Sequence, residues 1–248
     1  MRNSMTILND KGFEIAFDVR RDLDIPIDKA VDLNEISEKL NIAVREKDLK
    51  SEILGACRTD GIKRKILLHN GITNFQKKRF TWAHEIGHLL IHQGTFYCKT
   101  DYFNSLKTQS EIEMEANSFA AELLISRKII IATLKKKDLS IENIRSMSSL
   151  YDVSLSAASI QMTKFYDDAA ITLFHSDDKI IWSTRSAENY YKSPKIIPSI
   201  FSSSAIEKSL VNPKLWLEDE IEGLCCEQES IYFNKLDKYL TILKFYLQ

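Results

Sequence analysis

Residues 79–92 read Arg-Phe-Thr-Trp-Ala-His-Glu-Ile-Gly-His-Leu-Leu-Ile-His, and residues 113–124 read Glu-Met-Glu-Ala-Asn-Ser-Phe-Ala-Ala-Glu-Leu-Leu. The first stretch contains His84-Glu85-x-x-His88 within a helical pattern. Residues four apart share one face of a helix, so His84 and His88 direct two imidazoles at one point. That pairing suits a zinc ion, with Glu85 beside the first ligand and placed to take a proton from activated water. Asn74 is the expected cap of this helix and Gly94 its expected stop, with Phe80, Ala83, Gly87, Leu90 and Ile91 as the buried stripe.

A catalytic zinc needs a third protein ligand and an open fourth position. The candidates are Glu111, Glu113, Glu115 and Glu122, all on a second expected helix from Thr108 to Ser126. Glu113 and Asn117 are four apart and share a face that continues through Ala120, Ala121 and Leu124. With Glu113 as ligand, Asn117 falls one turn on and accepts a hydrogen bond from the outer nitrogen of His84. Glu115 points roughly 200° away and is the alternative. Both Thr108/Glu111 and Ser110/Glu113 have capping-box spacing, so Glu113 has a competing structural role. His92 reads as a partly exposed histidine at the helix end, and His69 and His175 as packing residues in strands. Tyr151, Tyr97 and His92 are candidates to stabilise an oxyanion.

Working outward, Ile15, Ala16, Val19 and Leu23 mark an N-terminal helix, and Asp32 or Asn34 caps a second at 32–42. IAVREK, EILGACR and RKILLHN then read as a small antiparallel sheet leading into the motif helix. A polar loop is expected from Gly94 to Thr108. After Ser126 come two or three short helices with a turn at Asp152-Val153-Ser154. Hairpins follow around 176–178 and 234–237, with a helix between them near 199–210. The division is 1–126 for the metal core, 127–167 for a helical segment and 168–248 for a small α+β domain.

Composition sets bounds on this reading. The chain has 248 residues, 44% hydrophobic and 28% charged, with a formal net charge of −1. A neutral balance supplies no global field for nucleic acid, so direct nucleic-acid binding has weak support. Lys77-Lys78-Arg79 and Lys135-Lys136-Lys137 read as solvated faces. No apolar run approaches the roughly 20 residues that span a bilayer, and no secretory h-region is visible. The expectation is a cytoplasmic protein without a membrane partner. Cys57, Cys98, Cys225 and Cys226 suggest neither a disulfide framework nor a thiolate metal site.

RFTWAHEIGHLLIH followed by EMEANSFAAELLIS resembles the ImmA/IrrE family of metallopeptidases, whose pattern is FTxAHExGH followed by ExxANxFAxxLL. The likeness is strong over residues 53–126. It implies a zincin-like minimal core in which His84, His88 and Glu113 bind zinc and Glu85 is the general base. It also implies a helix-turn-helix-like segment after the core, here LYDVSLSAASIQMTKF, and a partner that is a DNA-binding repressor. The C-terminal part is similar to the small sensor-like domains of some members.

The fold class expected is therefore α+β. The function expected is a gluzincin-like zinc endopeptidase acting on a partner regulatory protein, a helix-turn-helix repressor. The alternative is a non-catalytic, metal-containing transcriptional regulator or protein-binding module.

Overall fold

The computed structural model describes residues 10–50, 52–60, 62–99, 110–192, 194, 206–217 and 221–247. Seven helices and two sheets are present among them, an α+β architecture. The chain divides into two compact units, Met1–Ser126 with Leu150–Ser154, and Arg127–Ser149 with Leu155–Gln248.

In the first unit, α1 (Lys11–Asp22) is capped by Asp10, whose side chain accepts from Phe13 N–H. Asp32 caps α2 (Leu33–Lys39) by accepting from Asn34 and Glu35 N–H. Strands β1 (Ile42–Lys47), β2 (Ile53–Thr59) and β3 (Arg64–His69) follow, then α3 (Phe75–Ile91), β4 (Gly94–Lys99) and α4 (Glu111–Leu124). The sheet order is β1-β3-β2-β4. It is mixed rather than antiparallel throughout, because β1 runs parallel to β3 while β2 pairs antiparallel with both β3 and β4.

The expected loop from Gly94 to Thr108 is corrected at its start, and residues 100–108 lie outside the described residues. α3 ends at Ile91 with His92 in extended geometry, and the chain turns at once into β4, an edge strand paired with β2. Gly94, at φ +119°, opens that strand instead of closing the helix. Helix α3 lies between the sheet and α4. It therefore buries more than one stripe: Thr81, Ala83, His84, Glu85, Ile86, Gly87, His88 and Leu89 are all buried, whereas Phe80, Leu90 and Ile91 are only half-buried. Gly87 allows this close packing, since a Cβ there would stand 3.0 Å from the Phe119 ring of α4 and the ring would have to give way.

In the second unit, α5 (Arg127–Leu134), α6 (Ile141–Leu150, its final residue within the first unit) and α7 (Leu155–Lys164) precede a five-stranded antiparallel sheet. Asp152, at φ 52°, makes the expected turn between α6 and α7. The strands β5 (Ala170–His175), β6 (Ile180–Arg185), β7 (Glu207–Val211), β8 (Leu224–Phe233) and β9 (Lys238–Leu247) are arranged β6-β5-β9-β8-β7. Both expected hairpins form, β5–β6 and β8–β9. The helix expected near 199–210 is corrected at its described end, where Glu207–Val211 is a strand paired with β8. Its earlier part lies outside the described residues. Ile171, Leu173, Trp216, Leu217, Leu224, Cys226, Leu243 and Phe245 form the core of this sheet.

Candidate metal centre

Asn74 caps α3 by accepting from Lys77 N–H at 2.7 Å, which sets the start of the motif helix. Ten residues on, His84 and His88 present their rings edge to face, 4.6 Å apart between centroids. Their Nε2 atoms are 3.0 Å apart. Glu113 reaches the same point from α4, with Oε2 at 3.2 Å from His84 Nε2 and Oε1 at 3.5 Å from His88 Nε2. Ser110 caps α4 by accepting from the backbone N–H of Glu113. Capping and a role at the site are thus compatible, because the cap uses the backbone of Glu113 and leaves its carboxylate turned to the histidines. Thr108 lies outside the described residues.

The outer nitrogens determine what the inner ones offer. His84 Nδ1 is 2.9 Å from Asn117 Oδ1, so it carries the proton and donates. On the other side, Glu115 Oε2 is 2.7 Å from His92 Nε2, which donates to it. His92 Nδ1 then holds a lone pair and accepts from His88 Nδ1, 3.1 Å away. Burial lowers the pKa of His92, in keeping with a neutral ring. With Nδ1 of each ring engaged outward, Nε2 of His84 and of His88 is turned inward, where it can offer a lone pair. Two lone pairs and a carboxylate therefore crowd one buried point, and among the described residues Glu113 Oε2 has no hydrogen-bond donor. Such a set calls for a positive charge between its members.

Glu85 occupies a second position at the same centre. It is fully buried, and the polar groups that face its carboxylate are the Cys98 and Cys57 thiols. Burial raises its pKa to about 7, against the opposing effect of the Cys98 and Cys57 thiols and His88. The space it fills is left by Gly55 on β2, where a Cβ would lie 2.4 Å from Glu85 Oε1. Gly55 pairs with Cys98 and Cys57 with Phe96, so these four residues share the sheet face beneath α3. Phe96 stacks on His88 with ring centroids 4.7 Å apart and 9° between planes. Cys98 joins His84, His88 and Glu113 in a cluster whose ligand atoms all lie within 4.8 Å of one another. Cys98 thus lies among groups that could hold a metal, although the spacing of the cysteines suggests no thiolate metal site. Cys98 was hidden because its strand was read as a loop.

The remaining sequence candidates lie elsewhere or act indirectly. Glu115 holds His92 and faces away from the histidine pair, while Glu111 is exposed and Glu122 is buried without joining the cluster. His92 is half-buried at the helix end and supports His88. Tyr151 donates its hydroxyl to Ile27 O, and Tyr97 lies 59% exposed on the face of β4 opposite Cys98. His69 accepts from Leu49 N–H, and His175 is buried against Thr241 and Ser176. Arg79, expected on a solvated face, instead donates to Val31 O and Asp152 O.

A family profile described as the IrrE N-terminal-like domain, a peptidase family, matches residues 37–163. No curated protein sequence matches. Among solved structures, a Mycobacterium tuberculosis transcriptional regulator superposes with a TM-score of 0.55 at 12% sequence identity, over 94% of this chain and 80% of that one. At that identity the likeness is one of fold. No helix among the described residues is long and apolar enough to cross a membrane. The profile covers just over half of the chain, including the two histidines, Glu85 and the helix that carries Glu113, so the chain belongs to the peptidase family of the IrrE N-terminal-like domain.

Proposed function

We propose that this protein is a zinc-dependent endopeptidase, with His84, His88 and Glu113 as metal ligands and Glu85 as general base. The observation that carries the reading is the inward-facing set of two Nε2 atoms and one carboxylate, with the buried carboxylate of Glu85 beside it. When bound, zinc acts as a Lewis acid that lowers the pKa of water and polarises a peptide carbonyl. Glu85 takes the proton of the attacking water on a carboxylate oxygen and delivers it to the departing amide nitrogen. Its burial suits the task, because a base with a pKa near the working pH both accepts and returns a proton. Asn117 and the Glu115–His92 pair keep the two ligand rings in register.

The substrate in this reading is a peptide bond of a partner regulatory protein, a helix-turn-helix repressor. The α6–α7 pair is a candidate helix-turn-helix-like contact element, and the sheet β5–β9 is a candidate sensor-like domain. A second reading, a metal-containing regulator that binds without cleaving, draws support from the likeness to a transcriptional regulator.

One pair of variants separates the two. Glu85→Gln is expected to retain zinc in metal analysis yet fail to cleave repressor substrates that the wild type cuts. Glu113→Ala is expected to lose both metal and cleavage. Unchanged biological function in Glu85→Gln would replace the peptidase by the binding module.

A further inference from the structure

Cys98 is placed as no packing residue needs to be. It is fully buried on the edge strand β4, two residues from Phe96, which lies flat on His88. Its register partner on β2 is Gly55, so no side chain stands between its thiol and Glu85. Its Sγ belongs to the same compact cluster as the donors of His84, His88 and Glu113, all within 4.8 Å of one another. Around a tetrahedral ion with bonds of about 2.0–2.3 Å the ligand atoms stand about 3.3–3.8 Å apart, so closing the cluster by about 1 Å lets one ion touch all four. Glu113, a member of the same cluster, carries a buried oxygen, Oε2, without a hydrogen-bond partner among the described residues.

We propose that Cys98 is a fourth metal ligand, its sulfur completing a His₂–Glu–Cys tetrahedron and covering the position at which water is otherwise activated. The inference rests on the metal-binding part of the function proposed above and adds a latent state to it. Four protein ligands characterise a closed site, whereas a catalytic site keeps one position open. The protein then rests with its metal capped, and it becomes competent when β4 withdraws the sulfur. As the sulfur–metal bond forms, the thiol proton leaves to solvent, and it returns to sulfur when the bond breaks. Cys57, the other buried thiol beside Glu85, lies outside the four-donor cluster and serves as an internal control.

The test is electronic absorption of the full-length protein loaded with cobalt(II) alone. One equivalent of bound cobalt with a sulfur-to-cobalt charge-transfer band in the near ultraviolet is expected. The band should persist in Cys57→Ser and vanish in Cys98→Ser, with cobalt still bound through the other three ligands. Stoichiometric cobalt without the band in the wild type overturns the capping ligand and leaves the three-ligand centre standing. So does a band lost with Cys57→Ser and kept with Cys98→Ser. Failure to bind cobalt at all overturns the capping ligand and the metal centre together. The wild-type spectrum decides even where a serine variant does not fold.

Discussion

His92 shows how far a single side chain reaches in this site. It touches none of the reacting positions, yet through it the Glu115 carboxylate fixes which nitrogen of His88 bears the proton. Outer partners of ligating histidines are worth about 10- to 100-fold in metal affinity. His92→Ala is therefore expected to weaken zinc binding by about that factor without unfolding the protein, measured by competition with a chromophoric chelator. An unchanged affinity would show that His88 needs no support from this side. Gly55 acts by what it lacks. In Gly55→Ala the new methyl collides with Glu85 Oε1, and the carboxylate must move. A displacement of about 1 Å in a catalytic group costs about 100-fold in rate, while overpacking costs about 1–3 kcal/mol of stability. The expected variant is folded and metal-loaded but slow. Activity equal to the wild type would show that Glu85 has room to spare.

Packing between elements explains why α3 can carry four charged or polar groups inward. The helix is covered by the sheet on one side and by α4 on the other, so both faces can be buried at once. The second sheet offers a parallel case in Glu229. Its Oε1 accepts from Ile141 N–H at 3.0 Å, while its Oε2 is buried without a hydrogen-bond partner among the described residues. Burial raises its pKa, so the folded state favours the protonated form. For a carboxyl with a raised folded pKa, stability is lost as pH climbs from the unfolded pKa, about 4.3, through the folded value. Glu229→Gln keeps an acceptor for Ile141 and removes the charge. It should stabilise the protein at pH 8 by on the order of 1 kcal/mol, with the gain shrinking at pH 4. Denaturant unfolding at the two pH values checks this, and a gain larger at pH 4 would reverse the argument.

All four donors of the cluster, and Glu85, lie in the first of the two units. Zinc bound only by the native state adds RT ln(1 + [L]/Kd), about 2.7 kcal/mol at a hundredfold excess over Kd. That stabilisation is expected to be local. Zinc should slow hydrogen exchange in α3, β4 and α4, chelator should reverse it, and β5–β9 should exchange alike in both states. Equal protection of both sheets would mean that the units unfold as one. The net charge of −1 gives the whole molecule no basic field, consistent with recognition of a protein partner.

How much of this was legible in advance follows from the range of each interaction. The i, i+4 spacing of His84 and His88, the pairing of Glu113 with Asn117 one turn on, the Asn74 cap, a cap at Asp32 or Asn34, and the two C-terminal hairpins are all local. Helical and strand periodicity therefore determine them from the sequence alone. Tertiary structure decided the rest. β4 has a short, polar-flanked sequence that becomes a strand only because β2 offers an edge to pair with. With that pairing came Phe96 on His88 and Cys98 at the cluster, neither of which has a sequence spacing to betray it. The same holds for the parallel β1–β3 pair, the strand at Glu207–Val211 and the Glu115–His92–His88 chain. Each joins residues whose proximity is set by packing and backbone hydrogen bonding between distant segments, which no local pattern encodes.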